Sequence, residues 1–365
     1  MNRTRLLQLS ALLLAVAFVL TLIPVPAASA QSSWSPRPVT ATLRGSGATF
    51  PLPLYGAWIA AYKQVAPSVT ISYQGVGSGQ GQRDFIRYLT DFGGSDAALT
   101  ASRVQTEAPD ALHVPTVIGA VVPTYNLPGN PELRFSAETL VGIYLGAIRF
   151  WNDPRIAADN PNVRLPQLRI TVVYRSDGSG TTSIWTDYLS KVSVDWRTKV
   201  GSGNSVRWPV GVGAPGNPGV ASTVRNTSGA IGYVEQVFAV ANRLPLPAVK
   251  NASGNYVEAT LASTSAAANG VTIPSDLVAS IVNSPNPQAY PIAGFTYMLV
   301  RQNTYTDVAK AQALTDFIYW SLTDGSGAAL RLGYAPLPAE LRVRAINQLR
   351  SVVVNGQRVF DGEAK

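Results

Sequence analysis

The sequence predicts an α/β protein with open sheets. Runs of strand-forming residues alternate along the chain with segments of helical periodicity, as in α/β folds. Glycine-rich polar loops stand between these segments, after a strand candidate and before a helix candidate. The chain has 365 residues, of which 46% are hydrophobic, enough for a sizeable core. At this length two domains are expected rather than one.

The individual elements follow from residue spacing. Runs rich in apolar and β-branched residues predict strands at 69–74, 117–125 and 168–174. Apolar residues at helical spacing predict helices around 54–62, 85–89, 184–192 and 306–322. We interpret the aromatic residues of these helices as core faces rather than as ligand-binding surfaces.

Composition excludes several classes of function. The chain contains no cysteine, which excludes disulfides, thiolate metal sites and cysteine nucleophiles. Its single histidine, His113, lies in an apolar segment and is interpreted as structural, so we predict no metal site and no cofactor. Basic residues are dispersed, which argues against a nucleic-acid partner. A modest net positive charge still favours small anions.

The first 30 residues have the pattern of a secretory signal peptide. Arg3 and Arg5 precede a long apolar run, and Ala28 and Ala30 form a small-residue exit before Gln31. We expect cleavage near Ala30/Gln31, with an uncleaved membrane anchor as the alternative. No cysteine lies at the expected cleavage site, so lipid attachment as in bacterial lipoproteins is excluded. Loss of this segment lowers the net charge from +8 to +6.

The mature chain is then expected to work outside the cytoplasm. Residues 31–44 are predicted to hold a short leader and the first strand, with 31–40 disordered.

Three loops stand at predicted helix N-termini, at 45–51, 75–81 and 175–182. Each combines glycine with a hydroxyl residue, and Pro51 suits a first helical position. A helix N-terminus offers unpaired N–H groups and partial positive charge, and glycine lets the backbone approach a ligand. One such loop could be an ordinary N-cap, but three together favour an anion site.

Other glycine-loop functions fit poorly. The sequence contains no Walker A motif and no nucleophile elbow of the G-x-S-x-G type. Residues 77–81 only approximate a dinucleotide-binding loop. Residues 324–327 follow a predicted helix and are interpreted as a cap and turn.

Three charged residues accompany the loops. Arg175 can hold two oxygens of an oxyanion at once. Asp96 lies beside a further glycine loop, where a carboxylate would accept the proton of monohydrogen phosphate and repel sulfate. Local sequence leaves other roles open, because Asp96 could cap a helix and Asp177 could either form a turn or pair with Arg175.

These residues identify a family. The chain closely resembles the periplasmic phosphate-binding protein of the bacterial high-affinity phosphate ABC transporter, and the matches keep the family order from about residue 45 to 338. The matching stretches are GSGATFPLPLY (45–55), ISYQGVGSGQG (71–81), DFGGSDAAL (91–99), PTVIGAVV (115–122), IYLGAIRFWNDPRI (143–156), RSDGSGTTSIWTDYLSKVS (175–193), GAIGYVE (229–235) and LGYAPLP (332–338).

The resemblance implies a periplasmic-binding-protein-like fold, in which two α/β lobes around a cleft are joined by two crossovers. Lobe I would be discontinuous, with residues 45–126 plus 291–365, and lobe II would span 127–290. The crossovers would fall near Asn126 and near 290–294.

The resemblance also implies the ligand residues. The positions that match the family's phosphate ligands are Thr49, Phe50, Ser78, Asp96, Arg175, Ser179, Gly180 and Thr181, with Asp177 as a supporting partner of Arg175. The chain departs from the family pattern at 79–81 and 97–99, and neither departure removes a ligand-bearing side chain.

The implied function is capture of inorganic phosphate and its delivery to an inner-membrane ABC permease, by a protein that is not an enzyme and that we expect to be a monomer. Three alternatives stay open: a binder of another oxyanion, a secreted phosphatase-like hydrolase, and an additional role in adhesion or signalling.

Overall fold

The computed structural model describes residues 34–362, and the predicted signal peptide lies outside this range. The fourteen strands of the described residues are β1 Ala41–Gly47, β2 Val69–Gly75, β3 Phe92–Ser95, β4 Ala111–Tyr125, β5 Arg134–Phe135, β6 Thr171–Arg175, β7 Val212–Ala214, β8 Ala230–Glu235, β9 Ala248–Lys250, β10 Tyr256–Val257, β11 Ala293–Arg301, β12 Ala335–Pro336, β13 Val353–Val354 and β14 Gln357–Arg358. The thirteen helices are α1 Leu52–Val65, α2 Ser78–Ile86, α3 Ala101–Glu107, α4 Ala137–Tyr144, α5 Pro154–Asp159, α6 Gly180–Val192, α7 Val194–Lys199, α8 Gly216–Asn226, α9 Gln236–Ala241, α10 Leu261–Ala266, α11 Val308–Leu322, α12 Ser326–Arg331 and α13 Ala339–Leu349.

Nine of the strands form one mixed sheet in the order β2-β1-β3-β11-β4-β8-β6-β7, with β12 paired to β4. On one side of the sheet β2, β1 and β3 are parallel, and on the other side β8, β6 and β7 are parallel. Helices pack against both groups, for example α2 on β3 and α8 on β8. This alternation confirms the predicted α/β class.

The long strand β4 joins the two groups. Its first part pairs antiparallel with β11, from Ala111 to Ala120, and its last part pairs antiparallel with β8, from Val121 to Tyr125. The two parallel groups therefore run in opposite directions, and their carboxyl ends approach each other near the middle of β4. Because loops at the carboxyl ends of parallel strands form the ligand crevice of open α/β sheets, this register directs two sets of loops toward one place.

The predicted elements are found with shifted bounds. The strand expected at 117–125 begins earlier, at Ala111, and the strand expected at 168–174 is Thr171–Arg175. Helix α2 ends at Ile86, so Leu89, which we expected to extend its apolar stripe, lies beyond it and is exposed. Helix α1 begins at Leu52, which leaves Pro51 as its N-cap rather than its first helical residue.

The prediction of a disordered leader is wrong for residues 36–40. The Arg37 backbone N–H donates to Asp316 Oδ2 at 2.9 Å, and Arg37 Nη2 lies 2.6 Å from Asp316 Oδ1. Arg37 Nη1 also donates to the Val359 carbonyl. Asp316 is buried, and a buried carboxylate needs a partner, so the leader is held against α11.

Packing divides the chain into two units, 1–35 and 36–365, and every feature below belongs to the second. Among the described residues no helix is both long and apolar enough to cross a membrane. The predicted lobe boundaries at 126 and 291 stay predictions.

Candidate functional site

The predicted loops meet at the carboxyl ends of the two strand groups. Thr49 follows β1 and precedes α1, Ser78 begins α2, and Gly180 begins α6. The Gly180 N–H donates to Ser78 Oγ at 3.0 Å, and the Gly79 N–H donates to the Gly178 carbonyl at 2.8 Å. The N-termini of α2 and α6 therefore meet, and Thr49 before α1 reaches the N-terminus of α6 through the shared partner Asn217 of Thr49 and Thr181, as the anion-site prediction requires.

Glycine is required at position 180 because the start of α6 lies so close to Ser78 and Asp96. A Cβ atom there would lie 2.5 Å from Asp96 Cβ and 2.6 Å from Ser78 Oγ. Any larger side chain would hold the two sets of loops apart.

Arg175 is fixed by Asp177. Arg175 Nε and Nη2 donate to the two carboxylate oxygens at 2.8 and 2.5 Å, and the Gly216 N–H also donates to Asp177, at 2.9 Å. Burial raises the pKa of Asp177, but its hydrogen bonds to Arg175, the charge of Arg175 and the Gly216 N–H lower that pKa by more, so the net pKa lies below its usual value. The ion pair, one of the two alternatives left open for Asp177, is therefore present.

Asp96 is a buried acid surrounded by donors. Its Oδ1 accepts a hydrogen bond from Thr296 Oγ1 at 2.7 Å, and its Oδ2 lies 3.4 Å from Ser78 Oγ. Burial raises the pKa of Asp96 to about 7, although the hydrogen bonds of Thr296 and Ser78 and the charge of Arg175 oppose that rise. The carboxyl group therefore changes its protonation near neutral pH.

Two threonine hydroxyls lie on the other side of the site. Thr49 Oγ1 and Thr181 Oγ1 both accept hydrogen bonds from the side-chain amide of Asn217, at 3.0 and 3.1 Å. Arg175 Nη1 lies 3.3 Å from Thr181 Oγ1, which links this group to the arginine. All three of Thr49, Thr181 and Asn217 are buried.

The remaining predicted residues lie at helix starts. Ser179 is the N-cap of α6, and its Oγ accepts the Thr182 N–H at 3.0 Å. Phe50 precedes α1, its ring is buried, and its carbonyl accepts a hydrogen bond from Tyr334 at 2.7 Å. The structure thus brings the predicted residues from the loops of both parallel strand groups into one neighbourhood. Their contacts with an anion stay predictions.

Sequence reasoning missed four residues of this neighbourhood. Asn217 lies in the first turn of α8, in the glycine-containing stretch 215–219 at a helix N-terminus, a pattern that could have been found by the same search as the other three. Thr296, Glu235 and Tyr334 carry no local sequence pattern of this kind, because they reach the site only through the sheet register and the packing of distant segments.

Glu235 and Tyr334 form a buried acid–phenol pair under Phe50. Tyr334 Oη lies 3.1 Å from Glu235 Oε2, which also accepts the Val237 N–H at 2.9 Å. Burial raises the pKa of Glu235 well above its usual value, against the opposing hydrogen bonds of Val237 and Tyr334. A protonated Glu235 can donate to the tyrosine oxygen while the tyrosine donates to the Phe50 carbonyl.

His113 takes no part in the site. Its Nε2 accepts the Leu99 N–H at 3.0 Å, and burial lowers its pKa to about 4, so it is neutral and structural, as predicted. Within residues 34–362 no group of three or more histidine, aspartate or glutamate side chains is arranged to hold a metal ion.

The turn at 324–327 also has a structural role. Its first two residues lie between α11 and α12, and its last two begin α12. The Gly325 N–H donates to the Trp320 carbonyl at 2.7 Å, and the Gly325 carbonyl accepts a hydrogen bond from Trp58. These contacts agree with the interpretation as a cap and turn.

The fold and the site together are those of a solute-binding protein, with helix N-termini and one arginine in a single buried neighbourhood. A model of the PBP superfamily domain matches residues 32–325. The phosphate-binding protein PstS of Xylella fastidiosa is 42% identical over 305 residues, which cover 82% of each chain. PstS of Methanocaldococcus jannaschii is 38% identical over 349 residues, 88% of this chain and 90% of the relative.

A solved structure gives the same result. It is described as a high-affinity periplasmic phosphate-binding protein bound with phosphate; it is 25% identical with a TM-score of 0.64, over 83% of this chain and 92% of the other. The chain belongs to the PstS family of phosphate-binding proteins, within the PBP superfamily. The relatives are binding proteins, which confirms the prediction that this protein is not an enzyme and excludes the hydrolase alternative.

Proposed function

We propose that this protein captures inorganic phosphate outside the inner membrane and delivers it to an ABC permease. The observation that carries the proposal is Asp96, a buried carboxylate that accepts hydrogen bonds from the Thr296 and Ser78 hydroxyls and is influenced by the charge of Arg175. A fully deprotonated oxyanion has no proton for that carboxylate, whereas monohydrogen phosphate has one. The PstS relatives support the same ligand.

We assign the contacts by chemistry. Asp96 accepts the phosphate proton, and Arg175 supplies the positive charge. Hydroxyl or backbone N–H groups supply the remaining donors, from Thr49, Phe50, Ser78, Ser179, Gly180 and Thr181. Asp177 orients Arg175 and touches no phosphate oxygen.

Binding is coupled to closure of two lobes in this proposal. Lobe I is assigned to 45–126 plus 291–365 and lobe II to 127–290. The register supports a division in this part of the chain, because β4 leaves its pairing with β11 at Ala120 and joins β8 at Val121, shortly before the proposed crossover near 126. Phosphate contacted from both lobes would shift the population toward the closed state, in which Gly79 and Gly178 touch.

The proposed setting is the periplasm. The signal peptide is cleaved near Ala30/Gln31, the mature protein is a monomer, and its partner is the inner-membrane phosphate permease. Mass spectrometry of the secreted protein tests the cleavage position, and light scattering tests the monomer.

Isothermal titration with phosphate and with sulfate at pH 8.5 tests the binding function. We expect phosphate to bind at least about 1,000-fold more tightly than sulfate, because sulfate leaves Asp96 unpaired and repelled. Sulfate affinity within about tenfold of phosphate would contradict the specificity assigned to Asp96. No binding of phosphate at all would contradict the function.

A further inference from the structure

Asn217 has every polar atom of its side chain engaged, and the partners fix which way the amide faces. Its Oδ1 accepts the Glu235 backbone N–H at 3.0 Å. A backbone N–H can only donate, so the amide oxygen must face Glu235 and the NH2 group must face the opposite direction. The two hydrogens of that NH2 group are directed at Thr49 Oγ1 and Thr181 Oγ1.

The hydroxyl of Thr49 can therefore act toward a further group only as a hydrogen-bond donor. A hydroxyl has two acceptor positions and one hydrogen. Thr49 Oγ1 accepts from Asn217 Nδ2 at 3.0 Å and from the Asn217 backbone N–H at 3.1 Å. Both acceptor positions are used, so its hydrogen must be donated to something else.

Thr181 is in the same situation. Its Oγ1 accepts from Asn217 Nδ2 at 3.1 Å and from Arg175 Nη1 at 3.3 Å. Asn217 therefore sets both threonines as donors, and it does so from a fully buried position.

We propose that Asn217 is a positioning residue for phosphate: it forces the Thr49 and Thr181 hydroxyls to donate to the same oxyanion. The inference rests on the proposed function. Thr49 follows β1 and Asn217 follows β7, strands from the two parallel groups of the sheet, so the same amide also ties the two sides of the site together. An oxyanion oxygen, which can only accept, would thus meet two hydroxyls whose remaining capacity is to donate.

The competing explanation is purely structural. Asn217 lies in the first turn of α8, and its loss could simply loosen that helix. A structural role would weaken phosphate binding equally whether or not the threonine hydroxyls are present. A positioning role would weaken it only where there is a hydroxyl to orient.

A double-mutant cycle distinguishes the structural role of Asn217 from the positioning role. Phosphate affinity is measured by isothermal titration for Asn217→Ala in three backgrounds: unsubstituted, Thr49→Val and Thr181→Val. We expect Asn217→Ala to raise the Kd for phosphate about 10- to 100-fold in the unsubstituted protein. In each valine background the same substitution should raise the Kd by a factor that is smaller by about threefold or more, since the effects of coupled residues are not additive. The same factor in all three backgrounds would overturn the proposal.

Controls keep the outcome interpretable. Asn226→Ala, at the exposed far end of α8, should leave phosphate affinity unchanged. Asn217→Ser is run through the same cycle in case the alanine variant does not fold, and thermal unfolding without phosphate checks each variant. If the unsubstituted protein binds no phosphate, the proposed function fails; if it binds and the cycle is additive, only the role of Asn217 fails.

Discussion

Arg175 and Asp177 form a two-point ion pair, with Nε and Nη2 of the guanidinium held at 2.8 and 2.5 Å by the two carboxylate oxygens. This arrangement leaves the Nη1 side of the guanidinium facing Thr181 and the site. We expect Arg175→Ala to weaken phosphate binding by about 2–4 kcal/mol, since it removes a charged donor from a buried site. Titration calorimetry measures the change.

Asp177→Asn is the matched comparison. It keeps a hydrogen-bond acceptor for Arg175 and the cation itself, so the loss of phosphate affinity should be clearly smaller than for Arg175→Ala. A greater loss for Asp177→Asn would show that the aspartate contacts the ligand or that the arginine does not.

Asp96→Asn should relax the discrimination between phosphate and sulfate. An amide can donate to a sulfate oxygen, whereas a carboxylate repels it, so sulfate should gain at least about tenfold in affinity relative to phosphate. Competition titrations with the two anions measure the ratio. Asp187→Asn is the control. Asp187 and Asp96 both line a cavity of about 220 Å³, but the Asp187 carboxylate accepts a hydrogen bond from the Ser280 hydroxyl. Full selectivity in the Asp96 variant would reject the role assigned to this residue.

Sulfate binding should depend on pH through the same group. Burial raises the pKa of Asp96 to about 7, with opposing contributions from Thr296, Arg175 and Ser78. Below that pH the carboxyl group is protonated and can donate to sulfate, and above it the carboxylate repels sulfate. Sulfate affinity should therefore fall as pH rises from 5.5 to 8.5, by up to about tenfold per pH unit above the pKa. A curve that is equally steep in Asp96→Asn would assign the effect to another group.

Glu235 should contribute to stability through its hydrogen bonds rather than through a negative charge. Burial raises its pKa well above the usual value, against the hydrogen bonds of Val237 and Tyr334. With its amide oxygen in the place of Oε2, glutamine keeps an acceptor for both the Val237 N–H and the Tyr334 hydroxyl. Glu235→Gln should therefore change the free energy of unfolding by less than about 1 kcal/mol, whereas Glu235→Ala should cost about 2–4 kcal/mol. Urea unfolding at pH 7 distinguishes them. Equal losses would show that the charge, rather than the hydrogen bonds, matters.

Arg37→Ala should destabilise the protein without changing phosphate affinity in the folded state. The substitution leaves the buried Asp316 carboxylate without its cation, which should cost about 1–3 kcal/mol, since the arginine is only partly buried and the backbone N–H of residue 37 still donates to Asp316. Arg37→Ala combined with Asp316→Asn should recover part of this loss. Thermal unfolding measures both, and an unchanged midpoint for Arg37→Ala would contradict the anchoring of the leader.

The sequence predicted the fold class and the site loops because both depend on local patterns. Alternating strand and helix periodicity predicts an α/β chain, and glycine with hydroxyl residues marks helix N-termini such as those at Ser78 and Gly180. The residues themselves suggested oxyanion roles for Asp96 and Arg175 but left alternatives open, and the resemblance to the phosphate-binding family added Phe50 and named the other two as ligands. Each of these features lies within a short stretch of residues.

The contacts that the sequence could not predict are set by register and long-range packing. Thr296 reaches Asp96 only because β11 pairs antiparallel with β3 and β4, which places residues 200 positions apart side by side. Tyr334 reaches Glu235 through packing of the C-terminal segment on the sheet. The disordered-leader prediction failed for the same reason, since only the folded structure shows that Asp316 is buried and needs Arg37.

We expect one phosphate to lie between Thr49, Asp96 and Arg175, with the phosphate hydroxyl donating a hydrogen bond to the Asp96 carboxylate. A crystal structure of the phosphate complex at pH 8.5 tests it most directly. We predict a phosphate with one oxygen at hydrogen-bond distance from the Asp96 carboxylate and other oxygens contacted by Arg175 and by the Thr49 and Thr181 hydroxyls. A bound phosphate that makes no contact with Asp96, or that lies elsewhere in the protein, would contradict the account.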